Sequence, residues 1–228
     1  MAEYDFTAQR LFVEGPLAQG ARIACDRDRT NYLVNVLRLA DGAAIHVFDG
    51  ASGEWRAVLV REGKKAVTLE VVEKVREQAA PGDIWLAFAP LKHARLDYMV
   101  QKAVEMGASR LVPVITRRTQ VSRVNTERMR ANIIEAAEQC GVLAVPTCDE
   151  PITLEALIAQ LGTGRALIFC DEDAPVSDPF AALSGPLKRG AAACVLIGPE
   201  GGFTPEEQAA ARAVTPHVIL SLGPRILR

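Results

Sequence analysis

The sequence predicts an α/β protein: a parallel sheet with helices packed on it, preceded by a small β-rich barrel. Three observations predict it. Residues 193–207 read as a buried strand, a glycine loop and a helix start. Residues 84–115 read as a strand–helix–strand unit of about 30 residues, whose crossover implies parallel strands. Residues 1–75 hold several short apolar runs separated by turns, with one helix among them.

In the N-terminal part, 10–13 and 21–24 are short strands. Asp26 or Asp28 can cap a helix whose apolar stripe is Tyr32, Leu33, Val36 and Leu37. Strands follow at 45–48, 55–60 and 66–72, with turns at Asp49-Gly50 and 62–65. The polar stretch 76–83 ends in Pro81-Gly82 and is expected to link the 1–75 barrel to a second domain, 84–228.

The second domain opens with the strand 84–88. Leu96, Met99, Val100, Ala103 and Val104 then recur at helical spacing, with Gly107 as the closing residue. The strand 111–115 carries Pro113, which favours a sheet edge or a bulge. Asn125 or Thr126 caps a helix through Cys140 closed by Gly141, and another helix spans about 153–161. The strand 165–170 ends in Asp171-Glu172-Asp173, and Asp178-Pro179 opens a short helix. After the strand ending at Ile197, Thr204, Pro205 and Glu207 form a capping-box start. The last strand is 218–222, followed by a second glycine loop, 223–228. A strand that ends in a loop with no helix after it predicts a missing tail.

Charge and cysteine usage narrow the class. The net charge is −2, but 84–130 holds nine Lys/Arg against three Asp/Glu, while 131–228 holds six against twelve. A basic middle in a near-neutral chain suggests a local surface for a polyanion. Five scattered cysteines without a Cys-x-x-Cys pair argue against a metal or a disulfide framework. No apolar run is long enough to span a membrane, and the acidic N-terminus lacks a signal peptide, so a cytoplasmic protein is expected. His46 and His217 lie in strand-like runs and read as structural.

The loop Gly198-Pro199-Glu200-Gly201-Gly202 looks at first like a phosphate cradle at a helix N-terminus. Glu200 opposes that, because a carboxylate in mid-loop repels phosphate and suits a cation or a proton transfer. Both glycine loops follow parallel strands of one sheet, so both can face one pocket, beyond the strands' carboxyl ends. Lys92 and 116–120 leave strands on that same side.

Five spaced stretches resemble one family. They are Lys92 with Gln101-Lys102-Ala103-Val104-Glu105-Met106-Gly107; Glu135-Ala136-Ala137-Glu138-Gln139-Cys140-Gly141; Leu196-Ile197-Gly198-Pro199-Glu200-Gly201-Gly202-Phe203; Leu222-Gly223-Pro224-Arg225-Ile226-Leu227-Arg228; and, in the barrel, Arg10-Leu11-Phe12-Val13 with Val36-Leu37-Arg38-Leu39. The set resembles the RsmE family, SPOUT-class enzymes that methylate N3 of a uridine in 16S ribosomal RNA. The resemblance implies a PUA-like barrel, a C-terminal trefoil knot that departs from the usual absence of threading, a homodimer, and S-adenosylmethionine as cofactor. It departs from the family at Val142, where many relatives carry Arg, and at the end, where the family continues past Arg228 into a helix.

The implied cofactor residues are Phe169, Gly198, Glu200, Gly201, Gly202, Leu220, Leu222, Gly223, Ile226 and Leu227. Arg225 and Glu200 are the implied catalytic pair: Arg225 to stabilise charge building on the uracil ring, Glu200 to position the base or accept its N3 proton. Arg10, Arg38, Lys92, Lys102, Arg117 and Arg118 are the expected RNA contacts, on the 16S RNA of the small subunit, with no membrane and no metal involved. Two alternatives stay open: a SPOUT enzyme acting on tRNA or a ribose hydroxyl, and a non-catalytic RNA-binding module. A nucleotide-phosphate enzyme is disfavoured by Glu200 and by the lack of a Gly-Lys-Ser/Thr motif.

Overall fold

The structure, a computed structural model, describes residues 7–63, 66–121, 123–174, 178–184 and 187–223. Arg225, Ile226 and Leu227 lie outside these, as does the stretch on which the implied knot would close. The chain divides into two compact units. One comprises Met1–Ala80 with Ala137–Ala144, the other Pro81–Ala136 with Val145–Arg228.

The first unit is a five-stranded sheet around its own core. Its strands are β1 (Arg10–Phe12), β2 (Arg22–Ala24), β3 (Ala44–Phe48), β4 (Glu54–Glu62) and β5 (Ala66–Arg76), in the order β1-β3-β4-β5-β2. Only β1 and β3 pair in parallel; the other pairs are antiparallel. Alternation places Ala57 and Leu59 of β4 and Val67, Leu69 and Val71 of β5 in one core with Val13, Leu33, Ile45 and Val47. The helix α1 (Arg27–Asn31) is capped by Asp26, one of the two caps the sequence offers, whose side chain accepts from the Arg29 N–H. It does not continue as a regular helix. Tyr32–Val36 form a π-helical turn, closed by Leu37 N–H donating to Tyr32 C=O. The wider turn buries Leu33 with Leu37 packed beside it, and turns Val36 out to 61% exposure. Arg38 ends the turn in the left-handed region, φ 56°, which is costly for a residue with a Cβ.

Inside this unit Glu54 is fully buried. It pairs with Arg10 at 2.6 Å and Arg76 at 3.0 Å, with His46 3.7 Å away. Arg10 also donates to the carbonyls of Ala137 (2.7 Å) and Glu138 (2.9 Å), and Arg76 to that of Gly141 (2.7 Å). These satisfy carbonyls that a helix end leaves without partners. The expectation that Arg10 contacts RNA phosphate is therefore corrected. At 7% exposure its guanidinium is held by a carboxylate, by two carbonyls and over the Phe48 ring.

The second unit is a parallel sheet of seven strands: β6 (Ile84–Phe88), β7 (Arg110–Ile115), β8 (Thr147–Cys148), β9 (Ile152–Thr153), β10 (Ala166–Cys170), β11 (Ala193–Ile197) and β12 (His217–Leu220). The order is β12-β10-β11-β6-β7, with β8 and β9 both pairing β7. Between the strands run α2 (His93–Glu105), α3 (Thr126–Cys140), α4 (Leu154–Leu161), α5 (Pro179–Ser184) and α6 (Pro205–Arg212). One core joins α4 and α6 to the sheet through Leu154, Leu157, Ala211, Phe169 and Leu196. Another packs Leu183 and Leu187 against Ile168, Val218 and Leu220. Burial on both faces explains the continuous apolar runs of β7 and β10.

Pro113 sits inside β7, neither at a sheet edge nor in a bulge. Leu111 C=O accepts from Asp149 on the β8 side, so by alternation residue 113 faces that side too. There the partner changes: β8 pairs with β7 only as far as Leu111, and β9 begins at Val114. The missing proline N–H falls in the gap.

Candidate active site

The carboxyl ends of β10, β11 and β12 are level: Cys170 is in register with Ile197 on one side and Leu220 on the other. The two glycine loops therefore leave one edge of one sheet, with only β10 between them. Strand spacing makes that separation about 10 Å.

The first loop is held at both ends. Thr204 and Glu207 form the predicted capping box, with Pro205 in the first turn. Glu207 is 7% exposed. Its Oε2 accepts from Thr204 N–H at 2.8 Å, and its Oε1 from Arg117 N–H, also at 2.8 Å, which ties the start of α6 to the exit of β7. Arg118 donates to Gly201 C=O at 2.7 Å and covers Gly201 with its aliphatic stem. Gly202 adopts φ 67°, with its N–H donating to Pro199 C=O. A Cβ on Gly198 would lie 2.4 Å from the Phe203 ring, so only glycine lets that ring close beneath the loop onto Phe169, edge to face at 5.1 Å. Glu200 is exposed and its side chain makes no hydrogen bond or ion pair among the described residues.

Two expected cofactor residues offer no side chain to this edge. Phe169 is fully buried and Leu220 is 2% exposed, so both are core residues that contribute only backbone. Leu222 is 60% exposed, and Gly223 takes φ 111°. The strand β12 stops at Leu220, two residues earlier than the pattern predicted, which leaves Ser221 and Leu222 in the loop.

Three acidic residues follow β10. Asp171 is buried and structural: it accepts from Arg212 at 2.7 Å and from its own neighbour Asp173 N–H. Glu172 is exposed, with Oε1 3.3 Å from where a Cβ on Gly202 would stand. It stands against the first loop at the end of the strand that separates the two loops. Sequence reasoning noted the acidic run but gave Glu172 no role; its place on the middle strand was the missing signal.

The expected RNA cations divide. Arg38, Lys92 and Arg117 are exposed, and their side chains form no ion pair among the described residues. Lys102 is half-buried and held by Glu105 at 2.8 Å, whose hydrogen bond raises its pKa. Arg118 is engaged by the Gly201 carbonyl of the glycine loop. Among the described residues no group of three His, Cys, Asp or Glu could hold a metal ion, and no helix is long and apolar enough to cross a membrane.

Comparison with known proteins agrees with this layout. Residues 78–228 match the RNA methyltransferase domain family, and residues 25–72 the RNA methyltransferase PUA domain family. The ribosomal RNA small subunit methyltransferase E of Synechocystis sp. is 31% identical over 97% of this chain and 73% of its own length. That of Rickettsia conorii is 27% identical over 96% and 89%. The enzyme of the same name from Neisseria gonorrhoeae, solved with S-adenosyl methionine bound, superposes with a TM-score of 0.81 at 27% identity, covering 97% of this chain and 91% of that one. A Legionella pneumophila protein solved with its cofactor SAM gives 0.78 at 28%, with the same coverage. The first sheet is thus a PUA domain and the second a SPOUT-type α/β domain, and the chain belongs to the ribosomal RNA small subunit methyltransferase E family.

Proposed function

We propose that this chain transfers a methyl group from S-adenosylmethionine to N3 of a uridine in 16S ribosomal RNA, as a homodimer in the cytoplasm. The observation that carries the reading is the level edge of β10, β11 and β12, where two glycine-bearing loops flank a strand ending in carboxylates.

The donor set fits the cofactor. S-adenosylmethionine supplies an electrophilic methyl on a positively charged sulfur. Glu172 and Glu200 put negative charge at the edge, which suits a sulfonium and repels a phosphate. With no side chain at Gly201, Gly202 or Gly223, the main chain of both loops can approach the adenine and ribose closely. Gly198, Leu222, Ile226 and Leu227 complete the proposed cradle, with Phe169 and Leu220 acting through their main chain.

Methylation at N3 breaks the N3–H bond and leaves the electron pair on nitrogen for the new bond to the methyl carbon, while the methyl–sulfur bond breaks and its electron pair stays on the departing thioether. Glu200 is the proton acceptor, directly or through one water, and stands free for it. Arg225 stabilises the negative charge on the uracil oxygens. The loop that carries Glu200 is fixed by Glu207 and Arg118, so its position is set before RNA arrives. Arg38 in the first unit, and Lys92 and Arg117 in the second, contact phosphates.

The test is mass spectrometry of 16S RNA from unmethylated small subunits after incubation with the chain and isotopically labelled cofactor. The label is expected on one uridine base at N3. Label on a ribose hydroxyl, on tRNA alone or on no RNA overturns the assignment.

A further inference from the structure

The second unit contains a cleft of about 390 Å³ that the catalytic account does not use. It opens between the segment joining β6 to α2 and the segment joining β7 to α3. Both segments leave the carboxyl edge of the sheet, and β6 is the neighbour of β11, with Ala89 N–H donating to Ile197 C=O. The cleft therefore lies beside the glycine loop, on the same edge.

Its lining has two parts. The floor is apolar: Leu96 and Met129 are 8% and 1% exposed, and Val121 stands at the side. The rim is cationic. Asp97, the acidic residue in the lining, already accepts from Arg128 at 2.6 Å and Asn132 at 2.8 Å. Lys92 and Arg123 are exposed and have no carboxylate partner among the described residues. The first turn of α2, whose N-cap is Lys92, holds no acidic residue. A pocket of this size with an apolar floor and a positive rim matches a ligand with a flat, weakly polar ring and an attached anion.

We propose that this cleft is a second nucleotide subsite, taking the base of a residue that flanks the target uridine, with its phosphate on Lys92 and Arg123. The proposal rests on the RNA reading above and sharpens it. It makes recognition depend on an unpaired neighbour, spread along the sheet edge, as well as on the target itself. Single-stranded RNA is read in this way, with bases splayed onto apolar surface and the backbone on cations.

The experiment uses the full chain labelled with ¹³C-methyl methionine. Met129 lies under the cleft, and Met106, 84% exposed at the C-cap of α2 and not part of its lining, is the internal control. Titration with the dinucleotide pUpU is expected to move the Met129 methyl signal to saturation and leave that of Met106 in place. Arg123→Glu should weaken the titration about tenfold, the size of one lost charge-assisted contact. Val121→Trp, which fills the cleft from its side, should abolish it and lower kcat/KM on small subunits. A stationary Met129 signal overturns the proposal. So does an equal response to inorganic phosphate, which would mark a plain anion site, or a Val121→Trp variant with full kcat/KM. A saturating Met129 titration in a chain that methylates no RNA would leave the subsite standing and remove the function proposed above.

Discussion

Buried carboxylates serve the two units differently, as Glu54 and Glu207 show. Glu54, in the barrel, is fully buried and faces two arginines and a histidine. Glu207, at the start of α6, is 7% exposed and faces two backbone N–H groups. The first neutralises side-chain charge that would otherwise be stranded in a core. The second fixes the path of a loop. The difference teaches where stability and activity separate: the barrel depends on its carboxylate to stay folded, the sheet edge depends on its own to stay in place.

The largest expected effect is on the barrel. Glu54→Gln leaves Arg10 and Arg76 without a counter-charge and should cost about 3–5 kcal/mol. Urea unfolding followed by fluorescence of Trp55, on β4, checks it. A loss below 1 kcal/mol would mean that Glu54 is no hub.

Glu207→Ala should cost less stability, about 1–2 kcal/mol for a lost cap and one tertiary bond. It should cost more activity, because the loop bearing Glu200 loses its tie to β7. A displacement of ~1 Å is worth about a hundredfold in rate. Single-turnover methylation of small subunits reads this. If turnover falls no further than stability accounts for, the comparison between the two carboxylates breaks.

Neighbouring arginines sharpen the contrast. Arg117→Ala removes an exposed cation and should lower the salt slope of RNA binding by about 1 without slowing single-turnover chemistry. Arg118→Ala frees Gly201 C=O and should do the reverse: slower chemistry, with an unchanged salt slope. Filter binding between 50 and 200 mM salt, roughly the range over which counterion release is measured, separates them.

The effect that is smallest at neutral pH concerns the alkaline limb. Burial pushes the Cys170 thiol from 9.0 up to about 11 and the Cys194 thiol up to about 12. The folded chain keeps these protons where an unfolded chain releases them. Their contribution to stability is therefore complete below about pH 9 and is lost as pH rises towards 11–12. Unfolding midpoints measured from pH 8 upwards should fall on that limb, and fall less steeply in Cys194→Ala.

Much of the fold was legible because its signals are local. The capping box at Thr204 and Glu207, the closing glycines 107 and 141, and the apolar strands all depend on residues within a turn or two of each other. The strands β8 and β9 were not foreseen, since two residues carry no period. The π-helical turn escaped because Tyr32, Leu33, Val36 and Leu37 also suit a regular helix. At the site, the loops and the side from which they leave followed from the alternation of strands and helices, which makes the strands parallel. The fates of the arginines did not. Arg10 is buried because of Glu54, 44 positions away, and Arg118 is engaged because of Gly201, 83 positions away. No one-dimensional pattern distinguishes either from the exposed Arg117.

The central claim is that the edge formed by β10, β11 and β12 holds the methyl donor, and calorimetry of S-adenosylmethionine binding to Gly202→Val tests it most directly. Gly202 adopts φ 67°, and a side chain there would also press on Glu172 at 3.3 Å. With the barrel's unfolding transition unchanged, the wild-type chain should show one saturable site and the variant none. Equal affinity in both chains would place the cofactor elsewhere and contradict the account.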